Sequence, residues 1–435
     1  MTYVPVPIPS QLPAALTITL WDFSWYVRTG PGEPFEDLDQ AFRQAKARGY
    51  NTIRICAMPH LLFRSGLDTS AITLEPLGGE YGQRLRWYDV KTPTTIDGRA
   101  KLLELFRLAK EHDVHIIVSS WEYQQSPAFS ATSDWLDSLL AIDPEDRAVA
   151  QALAQADLVD FVRAHGLDDR IAYVEVHNEV QIGHLADGVE GSDGSDPDLV
   201  VALRPRLERA LAAFHDRQPE VPVTVNYAGV PAGAMRGIPE NVDVLVTHPY
   251  LYGVLGALVD RYGINGPAAG FDRESAVRDG LLPPDAPPIS AWAPAHPWRS
   301  VATIIWPPIV YVHDLGDAAA FDRWLYDHWQ EWRLEMLGRL RLWLDVARDW
   351  ALAHRVPLVF GEGWVGYTPA QARFEEGPVG AEICRFAVDE SIRVGAWGTI
   401  VCSNCAPQHA MWDDVPLQLQ CNRAFLTRTP IKTNE

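Results

Sequence analysis

The chain contains no run of basic residues. Lys and Arg total 37 against 57 Asp and Glu, a formal net charge of −20. Phosphate backbones are held by clustered Lys and Arg, so no nucleic-acid partner is expected. Long apolar runs are also missing. Nothing approaches the roughly 20 residues of a membrane span, and no membrane partner is expected either. Cysteine is scarce, with five among 435 residues, at positions 56, 384, 402, 405 and 421. That is too few for a disulfide framework. Cys402-Ser-Asn-Cys405 has the spacing of half a zinc site, but no second pair completes it, and it reads as two reduced cysteines. Residues 1–10 lack the basic start and unbroken apolar stretch of a secretion signal, so the expected location is cytoplasmic. No internal repeat at a fixed period occurs, no metal or cofactor is expected, and nothing in the sequence speaks to oligomeric state.

What is present is an ordinary globular composition, 47% hydrophobic and 22% charged, arranged as strand and helix patterns in alternation. Short apolar, β-branched stretches at 16–20, 52–57, 115–120, 171–176, 223–226, 242–247, 358–360 and 397–401 read as strands. Amphipathic stretches lie between them, for example 37–48, with Leu38, Ala41, Phe42 and Ala45 on one face and Gly49 as the stop. A helix over 148–165 precedes the fourth strand, and a long helical region covers 318–353. Eight strands alternating with helices predict an α/β fold, a (β/α)8 TIM barrel filling one domain over 1–435. The rhythm breaks between strands six and seven, where 250–355 reads as an insertion or lid segment. The stretch 187–197, rich in Gly, Asp and Ser, reads as a solvated loop; no glutamate closes it as a calcium loop.

Two of the strands end in carboxylates. Ile171-Ala-Tyr-Val-Glu-Val-His-Asn-Glu179 runs from an apolar strand into polar groups, and Val356-Pro-Leu-Val-Phe-Gly-Glu362 repeats the design. In a parallel barrel the C-terminal strand ends carry the reacting groups. A pair of carboxylates there suits glycosidic bond cleavage, one protonating the leaving oxygen and the other attacking the anomeric carbon. Glu122 and Glu175 are further carboxylates near the third and fourth strands. By alternation Glu175 shares a face with His177, and with Glu179 if the chain stays extended.

Arg54, Asn178-Glu179, His248-Pro-Tyr250 and Glu362-Gly-Trp364 stand in order on strands two, four, six and seven. In this the chain resembles the clan A retaining glycoside hydrolases, in their family-five, cellulase-like branch. The resemblance implies Glu179 as acid/base and Glu362 as nucleophile. It further implies that Arg54 and Tyr250 hold Glu362, that Asn178 reaches the neighbouring sugar hydroxyl, and that His177 and His248 orient the centre or bind sugar. The family's Pro after Asn-Glu is replaced by Val180, and its His near the end of strand three by Ser119-Ser-Trp-Glu-Tyr123. Of sixteen tryptophans, Trp21, Trp25, Trp121 and Trp364 fall near strand ends, where an indole suits stacking on a sugar; Trp121 and Trp364 join the expected binding residues. The expected partner is a carbohydrate, and the expected activity is removal of terminal sugars from short glycosides. Two other readings stay open: a metal-dependent sugar isomerase or epimerase using His177, His248, Glu179 and Glu362, and a sugar-binding barrel without chemistry.

Overall fold

A computed structural model describes residues 4–189 and 197–431; most of the Gly/Asp/Ser-rich stretch lies outside them. Eight parallel strands form the centre: β1 Leu16–Asp22, β2 Thr52–Ala57, β3 His115–Ser120, β4 Ile171–Glu175, β5 in two pieces, β6 Leu245–His248, β7 Leu358–Phe360 and β8 Gly398–Ile400. The pieces of β5 are Val223–Thr224, which pairs with β4, and Asn226–Ala228, which pairs with β6. Between them the Thr224 hydroxyl donates to the carbonyls of Val225 and Val244, at 2.9 and 2.5 Å. The strand therefore changes partner at Val225, and the ring closes. β1 completes it by pairing with both β2 and β8. Strands buried on both faces explain the unbroken apolar runs in the sequence.

The helices follow the amphipathic stretches closely. Asp37 and Asp97 cap Leu38–Ala47 and Gly98–Glu111, accepting the amides of Gln40 and Ala100. The helix before β4 is Arg147–Arg163 and the long one is Ala318–His354. Strand six begins later than the sequence suggests, at Leu245; ahead of it the Asp243 carboxylate accepts the amides of Val6 and Val223 at 2.7 and 2.9 Å. The loop after β2 holds an antiparallel pair, Ile72–Leu74 with Thr94–Ile96. No helix among the described residues is long and apolar enough to cross a membrane. All five cysteines are buried and free.

The segment between β6 and β7 folds as a series of helices, including Gly253–Tyr262, Trp298–Val301 and Pro307–Leu315, before the long one. It docks on the loop after β2. The Ala295 amide donates to the Leu77 carbonyl at 3.0 Å, Arg299 reaches the Pro76 carbonyl, and Asp314 accepts the amides of Gly82 and Arg84 at 2.6 and 2.9 Å. The same loop clamps the stretch after β7: Arg84 donates to the Ala370 carbonyl at 3.2 Å, and Arg86 pairs with Glu375 and Glu376 at 2.7 and 3.0 Å.

Candidate active site

Arg54 stands mid-way along β2 with no exposed surface. An unpaired charge there would be prohibitive, and three partners surround it. Glu175, the last residue of β4, takes Nε and Nη2, the latter at 2.6 Å. Glu362 Oε1 lies 2.6 Å from Nη1, and Asn178 Oδ1 lies 2.7 Å from Nη2. Burial opposes the guanidinium charge, but Glu175 and then Glu362 hold its pKa above the ordinary value. Trp121 lies under the same group, 4.8 Å from ring centroid to Cζ. Asn226 Nδ2 donates to Glu175 at 2.7 Å, completing that carboxylate's shell.

Glu362, one residue past β7's neighbour Gly361, receives Arg54 on one oxygen and the Tyr250 phenol on the other at 2.8 Å. The Tyr250 hydroxyl also lies 2.7 Å from Ser403 Oγ, beyond β8. Glu179 is arranged differently. The chain does not stay extended there: φ is +40°, a conformation that costs a non-glycine residue and recurs at functional positions. Two bonds hold that turn, from the Glu179 amide to Asn226 Oδ1 at 2.6 Å and from Gln124 to the Glu179 carbonyl at 3.3 Å. Its side chain meets no cation directly. Burial pushes its pKa up to about 7, with Arg54 pulling down and Glu175 pushing up. His248 Nδ1 lies 3.0 Å from Glu179 Oε1. Burial pulls that imidazole down to about 4, so it is neutral at pH 7. One oxygen of each glutamate and a ring nitrogen of His248 lie within 4.8 Å of one another.

A carboxyl kept protonable beside one fixed by a cation and a phenol is an acid next to an acceptor-only group. The sequence profile of the cellulase-like family, described as sugar-binding, matches residues 18–426. The chain belongs to the cellulase-like family. No curated protein sequence matches it. Among solved structures, this cellulase-like chain is similar to a candidate glycoside hydrolase from Parabacteroides distasonis ATCC 8503, at 20% identity and a TM-score of 0.66, covering 97% of this chain and 96% of that one. It also aligns with an endo-β-1,4-mannanase from Thermotoga petrophila (11% identity, TM-score 0.49, 97% of this chain and 79% of that one). A third is an exo-β-1,4-mannosidase from an Opitutaceae bacterium, strain TAV5 (13%, 0.49, 98% and 63%). At these identities the likeness is one of fold.

Of the residues singled out in the sequence, Arg54, Asn178, Glu179, His248, Tyr250 and Glu362 converge in this cellulase-like barrel. Three do not present themselves to a ligand. His177 is fully buried, its Nε2 taking the Tyr123 amide at 3.0 Å, and burial drives its pKa down to about 3. Trp364 is fully buried, with its indole N–H on the carbonyls of Ile400 and Val401. Trp121 supports Arg54 and is 4% exposed. Trp21 and Trp25 are core residues too. The sequence reading left out Glu175 as Arg54's main partner, together with Asn226, Gln124 and Ser403. Its one signal for Glu175 was a charge inside an apolar strand.

Proposed function

We propose that the protein is a retaining β-glycosidase acting on terminal sugars. The observation that carries the reading is the close approach of Glu179 and Glu362 in unlike environments. Oxygens within 4.8 Å fit the separation of about 5–5.5 Å in retaining enzymes, against about 6.5–9.5 Å where a water must fit between. Glu362 attacks the anomeric carbon while Glu179 gives its proton to the departing oxygen, leaving a glycosyl ester on Glu362. Glu179, now a carboxylate, takes a proton from water as that water opens the ester. Arg54 and Tyr250 orient the attacking oxygens, and neutral His248 positions Glu179. Asn178 gives one amide hydrogen to Gln124 at 3.1 Å and keeps one for the sugar hydroxyl beside the reacting carbon. The insertion docked on the loop after β2 supports a pocket closed on one side, suited to chain ends.

The same three side chains also raise a metal-dependent reading, since Glu179, His248 and Glu362 could converge on an ion. Arg54 argues against it, because its guanidinium already occupies Glu362 Oε1 and would repel a divalent cation at that oxygen. Persistence of activity in chelator separates the two. The decisive experiment is azide rescue with nitrophenyl β-glycosides. Glu362→Gly should lose more than about 10⁴-fold in kcat, beyond what acid–base assistance contributes, and azide should return an α-glycosyl azide. Glu179→Ala with azide should return the β-anomer. Opposite anomers would exchange the two roles, and inversion by the wild-type enzyme would refute the mechanism.

A further inference from the structure

A second acidic residue stands at a strand end on the far side of the barrel from Glu179. Asp22 closes β1, and β1 lies opposite β4 and β5 in the ring, beside β8. The pairing of β1 with β2 slips between Leu20 and Asp22, an irregularity of the kind that re-aims a side chain near a site. Asp22 also takes φ of +45°. The Ser24 amide closes a local turn on its side chain, and like Glu179 it departs from the extended strand. Its carboxylate receives the Ser24 amide at 2.5 Å and Gln408 Nε2 at 3.1 Å, which leaves acceptor capacity unused.

The groups around it are short of partners. Gln408 Oε1, His409 Nε2 and His313 Nδ1 are buried atoms with no hydrogen-bond partner among the described residues. His409 and His313 are 6% and 1% exposed. Buried polar atoms in native proteins are nearly always paired, and orphans call for an absent ligand or water. A line of aromatic rings connects this place to the catalytic pair. The Tyr367 ring lies 6.5 Å from Tyr250, 5.8 Å from His409 and 4.6 Å from Trp87, and Trp87 lies 5.7 Å from His313. Trp87, Tyr367 and Gln408 are half-buried, so the line has an open face. Burial, then the charges of Glu362 and Asp22, hold the Tyr367 phenol well above its ordinary range. The cations near by are already paired: Arg28 with Asp89 at 3.1 Å, and Arg86 with Glu375 and Glu376.

We propose that Asp22 and Gln408 form the recognition site for the remote end of the terminal sugar, taking the hydroxyls farthest from the anomeric carbon of a neutral pyranoside. The inference rests on the glycosidase reading and adds the substrate class. Asp22 accepts from a hydroxyl, Gln408 Oε1 accepts from its neighbour, and Trp87 and Tyr367 flank the ring. With Arg28 and Arg86 each bonded to a carboxylate, the acid group of a uronic acid or the phosphate of a sugar phosphate would find no free cation to pair with.

The test compares nitrophenyl β-D-gluco- and β-D-mannopyranosides with their 3-, 4- and 6-deoxy analogues and with the β-glucuronide. Removing the hydroxyl that meets Asp22 should cost wild-type enzyme about 10-fold in kcat/KM, the upper end for an ordinary hydrogen bond. In Asp22→Asn the same deletion should cost about 3-fold or less, because the two changes remove one interaction. Gln408→Met should show a smaller coupling, to the same or the adjacent hydroxyl, and serves if the Asp22 variant does not fold. The glucuronide should be turned over least. Equal deoxy penalties in wild type and both variants, or preference for the glucuronide, would overturn the assignment and leave the glycosidase reading standing. A wild-type protein that cleaves none of these glycosides would overturn both.

Discussion

Glu179 and Glu362 leave the same sheet three strands apart, and their carboxylate oxygens come within 4.8 Å of each other, but the protein treats them in opposite ways. At the end of β7 an arginine and a phenol are bonded to the carboxylate. At the end of β4 the nearest polar group is an imidazole that burial keeps neutral, and the carboxyl rises to about 7. The difference is built one layer below. Arg54 could have served both glutamates, but Glu175 claims its Nε and Nη2, so only Nη1 reaches the centre. Two carboxylates on one guanidinium leave the local charge at −1, which disfavours ionising a third. The asymmetry needed for acid and nucleophile therefore comes first from the burial of Glu179 and then from how one buried cation is shared.

That contrast can be broken at either end. With the nucleophile left in place, the largest effect is expected from Glu179→Gln. With a poor leaving group it should lower kcat by about 10²–10⁴-fold, while a dinitrophenyl glycoside should form the glycosyl-enzyme at close to the wild-type rate. The alkaline limb of kcat/KM, expected as pH rises through about 7 and Glu179 loses its proton, should vanish in this variant. An unchanged limb would assign it to another group. Next is Arg54→Leu, which strands Glu175 and Glu362 without their cation. Breaking a buried pair typically costs about 3–5 kcal/mol, and urea unfolding should register a loss of that order. A loss below about 1 kcal/mol would mean that the charges relax or protonate at little cost. Smallest is Glu175→Gln. Its charge helps raise Glu179, so removing it should move the alkaline limb to lower pH with the fold retained; a limb moving upward would contradict the shared-cation account.

The strand ends were legible because a buried parallel strand must be apolar until it leaves the sheet, so that Asn178-Glu179 and Glu362 stood out against their runs. The helix over 37–48 was legible through its apolar face and the stop at Gly49, both of which are local. Long-range choices were not. Glu122 and Glu175 are alike in sequence, each an acid beside a strand. Glu122 is satisfied by the amides of His60 and Leu61, the Trp135 indole and Gln151, whereas Glu175 takes an arginine 121 residues away. The tryptophans misled for a related reason. An indole near a strand end can face the sugar or fill the space beneath it, and Trp364 has its N–H satisfied from within. No local signal marks the left-handed backbone at Glu179, since tertiary bonds from Asn226 and Gln124 hold it; at Asp22 it sits on a residue type that tolerates it and bonds its own chain two residues on.

The segment between β6 and β7 departs from the barrel and returns to it at adjacent strands, Leu358 pairing with Leu245. Lengthening such an excursion adds closure entropy only logarithmically, so the barrel tolerates wide variation in it. Its anchors at Ala295 and Asp314 meet main-chain atoms of the loop after β2, and Arg299 meets the Pro76 carbonyl as well as the Glu75 carboxylate, so most of the docking asks for no particular sequence there. The excursion is thus a cassette. Evolution or an engineer can exchange it as a block and alter what reaches the centre, while the Arg54 network and both glutamates, all carried outside it, are inherited unchanged.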